Sequence, residues 1–243
     1  MSATTVFPNA HWPGQVRLSS EPRGDDGSAA ASDSKVLCVS SVSAGPGRPR
    51  LVEQRRRGDT ARDEILDAAG ELFTSRGYSG TSTRMIAEAV GIRQASLYHH
   101  FKTKDDILEA LLQNTVARAL VTAQQLREAV GEPALERLQS LARFDAAQLA
   151  GSRWNLGALY LLPELRTERF AEFRQARTDL ARIYAALAGE VLGDPDDPRR
   201  HLPFRLVESV ISMRSDEMAG ALGADSLHEM VDLLVDTIAL LLK

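Results

Sequence analysis

Residues 81–101 read TSTRMIAEAVGIRQASLYHHF, and this stretch decides the fold. Ile86, Ala87 and Val90 fall at i, i+1 and i+4, which lays one apolar face along a short helix. Thr81 or Ser82 can cap its start, because a hydroxyl there accepts a hydrogen bond from the free N–H groups of the first turn. Gly91 ends it, since glycine takes the left-handed C′ conformation without steric cost. Ile92 then turns inward and a second helix begins near Gln94, with Leu97 and Phe101 as its i, i+4 apolar line. Gln94, Ala95, Ser96, Tyr98, His99 and His100 spread over its other sides. A helix anchored along one thin line, with hydrogen-bonding groups elsewhere, suits a DNA major groove. The pair is a helix-turn-helix candidate.

Upstream, residues 61–76 form a first helix with Ile65, Leu66, Ala69, Leu72 and Phe73 as its stripe. Asp63 and Glu64 favour its positive start, and Gly77 stops it. Three helices of roughly 45 residues make a marginal core on their own. They must lean on a long helix over 104–129, where Ile107, Leu108, Leu111, Leu112 and Val116 face inward. That shared helix is where a signal can pass between the two parts of the chain.

Residues 60–112 resemble the TetR family of bacterial transcriptional repressors. The motifs are the opening helix ARDEILDAAGELFTSRGY, the T-x-x-x-I-A-x-x-x-G-I core, the L-Y-H-H-F block and the K-x-K-D-D-I-L start of the next helix. The resemblance implies base contacts by Gln94, Ala95, Ser96 and His99, and phosphate contacts by Thr83, Arg84, Tyr98, His100 and Lys104. Residue chemistry agrees for Gln94, which can pair with adenine N6/N7, and for Ala95, which can touch a thymine methyl. The bland reading of Tyr98 is a half-buried ring packed on the first helix; for His99 and His100 it is ordinary exposure. Arg93 departs from the family, which has a small hydroxyl residue there, so the recognition helix loses a cap.

The net charge of −4 divides unevenly. Residues 1–104 carry 14 basic and 11 acidic side chains, for +3; residues 105–243 carry 15 and 22, for −7. The acidic part should sit away from phosphates, whose repulsion is felt within about 8–10 Å at ordinary salt. Residues 1–58, rich in Gly, Pro, Ser and Ala, read as a mostly disordered tail with a basic end. Arg48, Arg50, Arg55, Arg56 and Arg57 are either a solvated linker or an arm tracking phosphates or a narrow minor groove. One cysteine, Cys38, and the absence of a ~20-residue apolar run or a signal peptide point to the cytoplasm. Catalytic and metal-binding patterns are missing: no G-x-S-x-G, Walker, dinucleotide or H-E-x-x-H motif, and histidines without ligand spacing. Neither enzyme nor cofactor is expected.

Beyond the shared helix the chain reads as helices over 133–149, 154–162, 167–192, 202–218 and 226–242, with no strand alternation. The whole is all-α: a three-helix DNA-binding domain over 59–104 followed by a helical ligand-binding and dimerisation domain over 105–243. In the last helix Leu227, Met230, Val231, Leu234, Ile238 and Leu241 make a stripe that Leu233, Val235, Leu240 and Leu242 widen. A helix that apolar buries two faces; the stripe is read as a twofold dimer interface rather than as a central core helix. The family implies a ligand pocket, for which Phe144, Trp154, Leu159, Tyr160, Phe170, Phe173, Tyr184 and Met213 are candidates and an apolar or amphipathic ligand the expectation. The reading is a homodimeric repressor of a palindromic double-stranded DNA operator, released by a small-molecule effector. The rival is a helical small-molecule-binding protein or enzyme whose helix-turn-helix is only an interaction module.

Overall fold

The computed structural model describes residues 56–221, 223 and 226–243, without the side chain of Ser226. The tail over 1–55, with Arg48, Arg50 and Arg55, lies outside the described residues. The described residues are helical and contain no strand. In chain order the helices are α1 (Ala61–Arg76), α2 (Thr83–Val90), α3 (Gln94–His100), α4 (Lys104–Glu128), α5 (Ala134–Gly151), α6 (Ala171–Leu192), α7 (Leu202–Met218) and α8 (Ser226–Leu241). Where the sequence suggests a helix over 154–162, a 3₁₀ turn runs over Leu156–Leu161; a second follows over Pro163–Arg166, and a third, Glu168–Phe170, replaces the first turn of the helix expected over 167–192. Pro163 explains the break, having no N–H to donate to a continuing helix.

The helix starts are set by local chemistry. Thr60 and Asp63 form a reciprocal capping box on α1, and Thr103 and Asp106 form another on α4. Ser82 caps α2 through the Met85 N–H. Gly91 closes α2 at φ 79°, ψ 30°, a left-handed conformation that costs a side-chain-bearing residue but not glycine. At α3, Arg93 supplies no side-chain cap; its carbonyl alone receives the Ser96 and Leu97 N–H groups.

The core is continuous. Ile65, Phe73, Ile86, Val90 and Leu97 pack with Ile107, Leu108 and Leu112 of α4, and the same cluster continues through Leu141, Tyr184 and Val207 to Ile238. At roughly 25 cal/mol per Å² of buried apolar surface, the short α1–α3 unit draws its stability from α4, as its size requires. Buried Arg137 donates to the Leu126, Arg127 and Glu132 carbonyls and pairs with Glu190, tying the end of α4 to α5 and α6.

Candidate nucleic-acid interface and the cavity behind it

α3 is held by its buried Leu97, with the following Phe101 also buried. Gln94, Ala95, Tyr98, His99 and His100 are exposed, and Ser96 is half-buried. The Gln94 amide donates to the Thr83 hydroxyl at 3.1 Å and to the Tyr98 hydroxyl at 3.3 Å, and the two hydroxyls lie 3.2 Å apart. One residue of α2 and two of α3 thus form a polar cluster on the surface. Tyr98 is 46% exposed, with its hydroxyl in that surface cluster. Arg84, next to Thr83 in sequence, lies open and is paired with Glu88 one turn on. Arg62 stacks 4.6 Å from the Phe101 ring, an exposed cation at the end of α3 that periodicity alone does not reveal.

Two cations expected to touch phosphate are engaged elsewhere. The Lys104 ammonium donates to the Tyr78 carbonyl at 2.8 Å and the Thr81 carbonyl at 2.9 Å, and sits over the Tyr78 ring. It stitches the α1–α2 loop to α4. Arg56 donates to the Ala89 carbonyl at 3.2 Å and pairs with Glu71, clamping α1 to α2. Arg57 is exposed, as an arm requires.

The expected dimer stripe is turned inward. Leu227, Val231, Leu234 and Ile238 are buried in the chain's own core, where α8 packs on α5 and α7, and Met230 and Leu241 are half-buried. The physical reason is the helix's two apolar faces: the stripe with the best 3.6-residue spacing closes the nearer core. What remains outside is Leu233 (64% exposed) and Leu240 (67%), two turns apart on the opposite face.

The eight pocket candidates do not surround one cavity. Leu159, Phe170, Phe173 and Tyr184 are packed core residues, and Met213 lies half-buried against that core. Phe144 borders a shallow cleft with Val121, and Tyr160 a separate one with Arg177 and Glu208. Of the eight, Trp154 lines a cavity of about 190 Å³ between α4, α5, the 152–157 link and α7. Its other walls include Arg118, Gln148, Asn155 and Arg214, none of them foreseen. Arg214 is 7% exposed and donates to the Leu149 carbonyl at 2.8 Å and to those of Ser152 and Trp154. Burial lowers its pKa, with Glu217 opposing. Asn155, also buried, donates to the Ile211 carbonyl and the Ser215 hydroxyl.

A readable signal for Arg214 existed. Val207, Val210 and Arg214 stand at i, i+3 and i+7, so a charge occupies a core position of α7. Asp145 does the same on α5 after Leu138 and Leu141. It accepts a 3.2 Å bond from the Tyr184 hydroxyl, and burial pushes its carboxyl up to about 7 despite that bond.

Residues 65–111 match the family described as bacterial regulatory proteins, tetR family. The crystal structure of Mycobacterium smegmatis AmtR is similar at 53% identity, covering 75% of this chain and 89% of that one, with a TM-score of 0.65. The HTH-type transcriptional repressor KstR2 of Mycolicibacterium smegmatis is 38% identical over 89 residues, 36% of this chain; the chain spans 43% of that relative's length. The HTH-type transcriptional regulator TcmR of Streptomyces glaucescens is 29% identical over 194 residues, 74% of this chain and 83% of that protein.

Proposed function

The chain belongs to the tetR family of bacterial regulatory proteins, and from that premise we propose that it is a homodimeric transcriptional repressor, released from its operator by a small molecule. Residues 59–104 read the DNA, and residues 105–243 bind the effector and the second copy. The observation that carries this reading is the surface cluster of Thr83, Gln94 and Tyr98 on a helix fixed by one buried leucine. Such a helix can enter the major groove with its hydrogen-bonding groups intact. Gln94 reads a base, with Ala95, Ser96 and His99 beside it, while Thr83, Arg84, Tyr98 and His100 hold the backbone. Two copies then place their α3 helices about 34–36 Å apart, one turn of duplex. Leu233 and Leu240 are the outward apolar residues around which a second α8 packs. The site of action is the cytoplasm, where operator DNA is; no helix among the described residues is long and apolar enough to cross a membrane.

Selection of duplexes from a random pool tests the reading. The expected product is a palindrome with half-sites one turn apart. Gln94→Ala should relax one position per half-site, losing about 1–3 kcal/mol of discrimination. Equal weakening on selected and random duplex would assign Gln94 to general adhesion and sink the base-reading role.

A further inference from the structure

Resting on the regulator reading above, we infer that the effector binds in the cavity bounded by Thr115, Arg118, Gln148, Trp154 and Arg214, that it is a small organic anion carrying an N–H donor, and that Trp154 passes its presence to α1. Size is the first constraint. About 190 Å³ holds some six waters at ~30 Å³ each, well under the ~300–1,000 Å³ of a drug-sized site. The enclosed part suits an acid of a few carbons.

Charge is the second. Arg118 and Arg214 are among the residues that line the cavity, with the Arg118 guanidinium 5.9 Å from the Phe144 ring at its side, and no Asp or Glu lines it. Arg214 is satisfied in hydrogen bonds by neutral carbonyls, and among the described residues no carboxylate lies within ion-pair distance of it. Its charge is offset only in part, by Glu217 beyond ion-pair distance, and an anion in the cavity would offset more of the cost of burying it. Gln148 supplies the donor requirement. Its amide nitrogen is committed to the Thr115 carbonyl at 2.8 Å, while its Oε1 is buried without a partner. Less than 1 Å² of it is accessible, so a ligand N–H satisfies it once the Gln148 side chain turns toward the cavity. Leu149, Leu156 and Trp154 supply the apolar part of the cavity's lining.

The route to the DNA-binding helices is physical contact. Trp154 Nε1 donates to Asp67 of α1 at 3.0 Å, and Arg153 pairs with the same carboxylate at 2.8 Å. Gly70, one turn along α1, makes room for the indole: a Cβ there would lie 2.8 Å from Trp154 Cδ1. The opposite wall is α4, whose first turn anchors the α1–α2 loop through Lys104. A ligand wedged between them bears on α1 and α4 together.

Trp154 is also the reporter. The other tryptophan, Trp12, is removed in a Trp12→Phe background. The probe is succinamate, a four-carbon acid with a terminal amide; succinamide lacks the anion and butyrate lacks the donor. Expected at millimolar concentration are a saturable change in Trp154 fluorescence and a raised Tm with succinamate, and neither with succinamide. Butyrate should bind more weakly than succinamate. Arg118→Gln should weaken succinamate about tenfold or more, and Leu156→Trp, which fills the cavity without removing a charge, should abolish it. Asp67→Asn should leave succinamate affinity intact and abolish its effect on DNA affinity. No response to succinamate or butyrate in a folded, DNA-binding protein overturns the site; a succinamide response equal to succinamate overturns the anion; full release by succinamate in Asp67→Asn overturns the Trp154 route. Saturable binding in a protein that selects no DNA would uphold the site and sink the repressor reading instead.

Discussion

Asp145 meets Tyr184 in the interior, and the pair has a thermodynamic signature. Its carboxyl rises from 3.8 to about 7 through burial, with Glu208 adding to the rise and the Tyr184 bond opposing it. A value raised on folding means the fold prefers the neutral acid. The stability it contributes is complete below about pH 4, shrinks as pH climbs, and is gone once pH passes about 7. Asp145→Asn keeps an acceptor for Tyr184 and removes the charge. It should raise Tm by on the order of a few °C near pH 8, with the gain shrinking toward pH 5. A calorimetric gain of the same size at both pH values would show that the carboxylate is not what titrates. Lys104 teaches a different lesson at the same scale: a lysine at a phosphate-contacting position of the family donates to two carbonyls of the α1–α2 loop and so holds that loop to α4.

Among the elements, α4 is the one that every part of the molecule uses. Its start is fixed by the Thr103–Asp106 box, with the Asp106 N–H donating to the hydroxyl at 3.1 Å and the Thr103 N–H to the carboxylate at 2.8 Å. Loss of that hydroxyl should cost about 1 kcal/mol. For a chain of this size Thr103→Ala therefore lowers Tm by roughly 2–4 °C. Because the same turn carries Lys104, DNA affinity should fall with it; a Tm unchanged within error would mean that packing rather than capping sets the helix start. α3 shows the opposite economy. With Arg93 giving no side-chain cap and only seven residues in the helix, its position is set by Leu97, Phe101 and the turn at Gly91.

At the scale of the molecule, the proposed assembly rests on the face of α8 left over after folding. Leu233→Glu combined with Leu240→Glu should convert the dimer to a monomer in sedimentation equilibrium and abolish tight binding to the palindrome. Val130→Glu, at a more exposed apolar residue in the α4–α5 turn, should do neither. A double variant that keeps its full mass would place the twofold contact elsewhere. If effector and operator are coupled through α1 and α4, the coupling is reciprocal and typically ~1–3 kcal/mol, so operator DNA should weaken effector binding by the same factor.

The sequence by itself determined the helices, because capping hydroxyls, the glycine after α2, the prolines and the 3.6-residue stripes are local causes that act within a few residues. Those signals place α1 over Ala61–Arg76, α7 over Leu202–Met218 and the outward set on α3. Only the tertiary structure decided which apolar face of α8 was consumed internally, why Arg56 and Lys104 bind carbonyls and carboxylates of their own chain, and that aromatic residues expected around a ligand fill the core instead. Each of those outcomes is a competition between partners distant in the sequence. Burial goes to the face whose packing lowers the free energy most, and that depends on the shape of its distant neighbours as well as on the helix's own spacing.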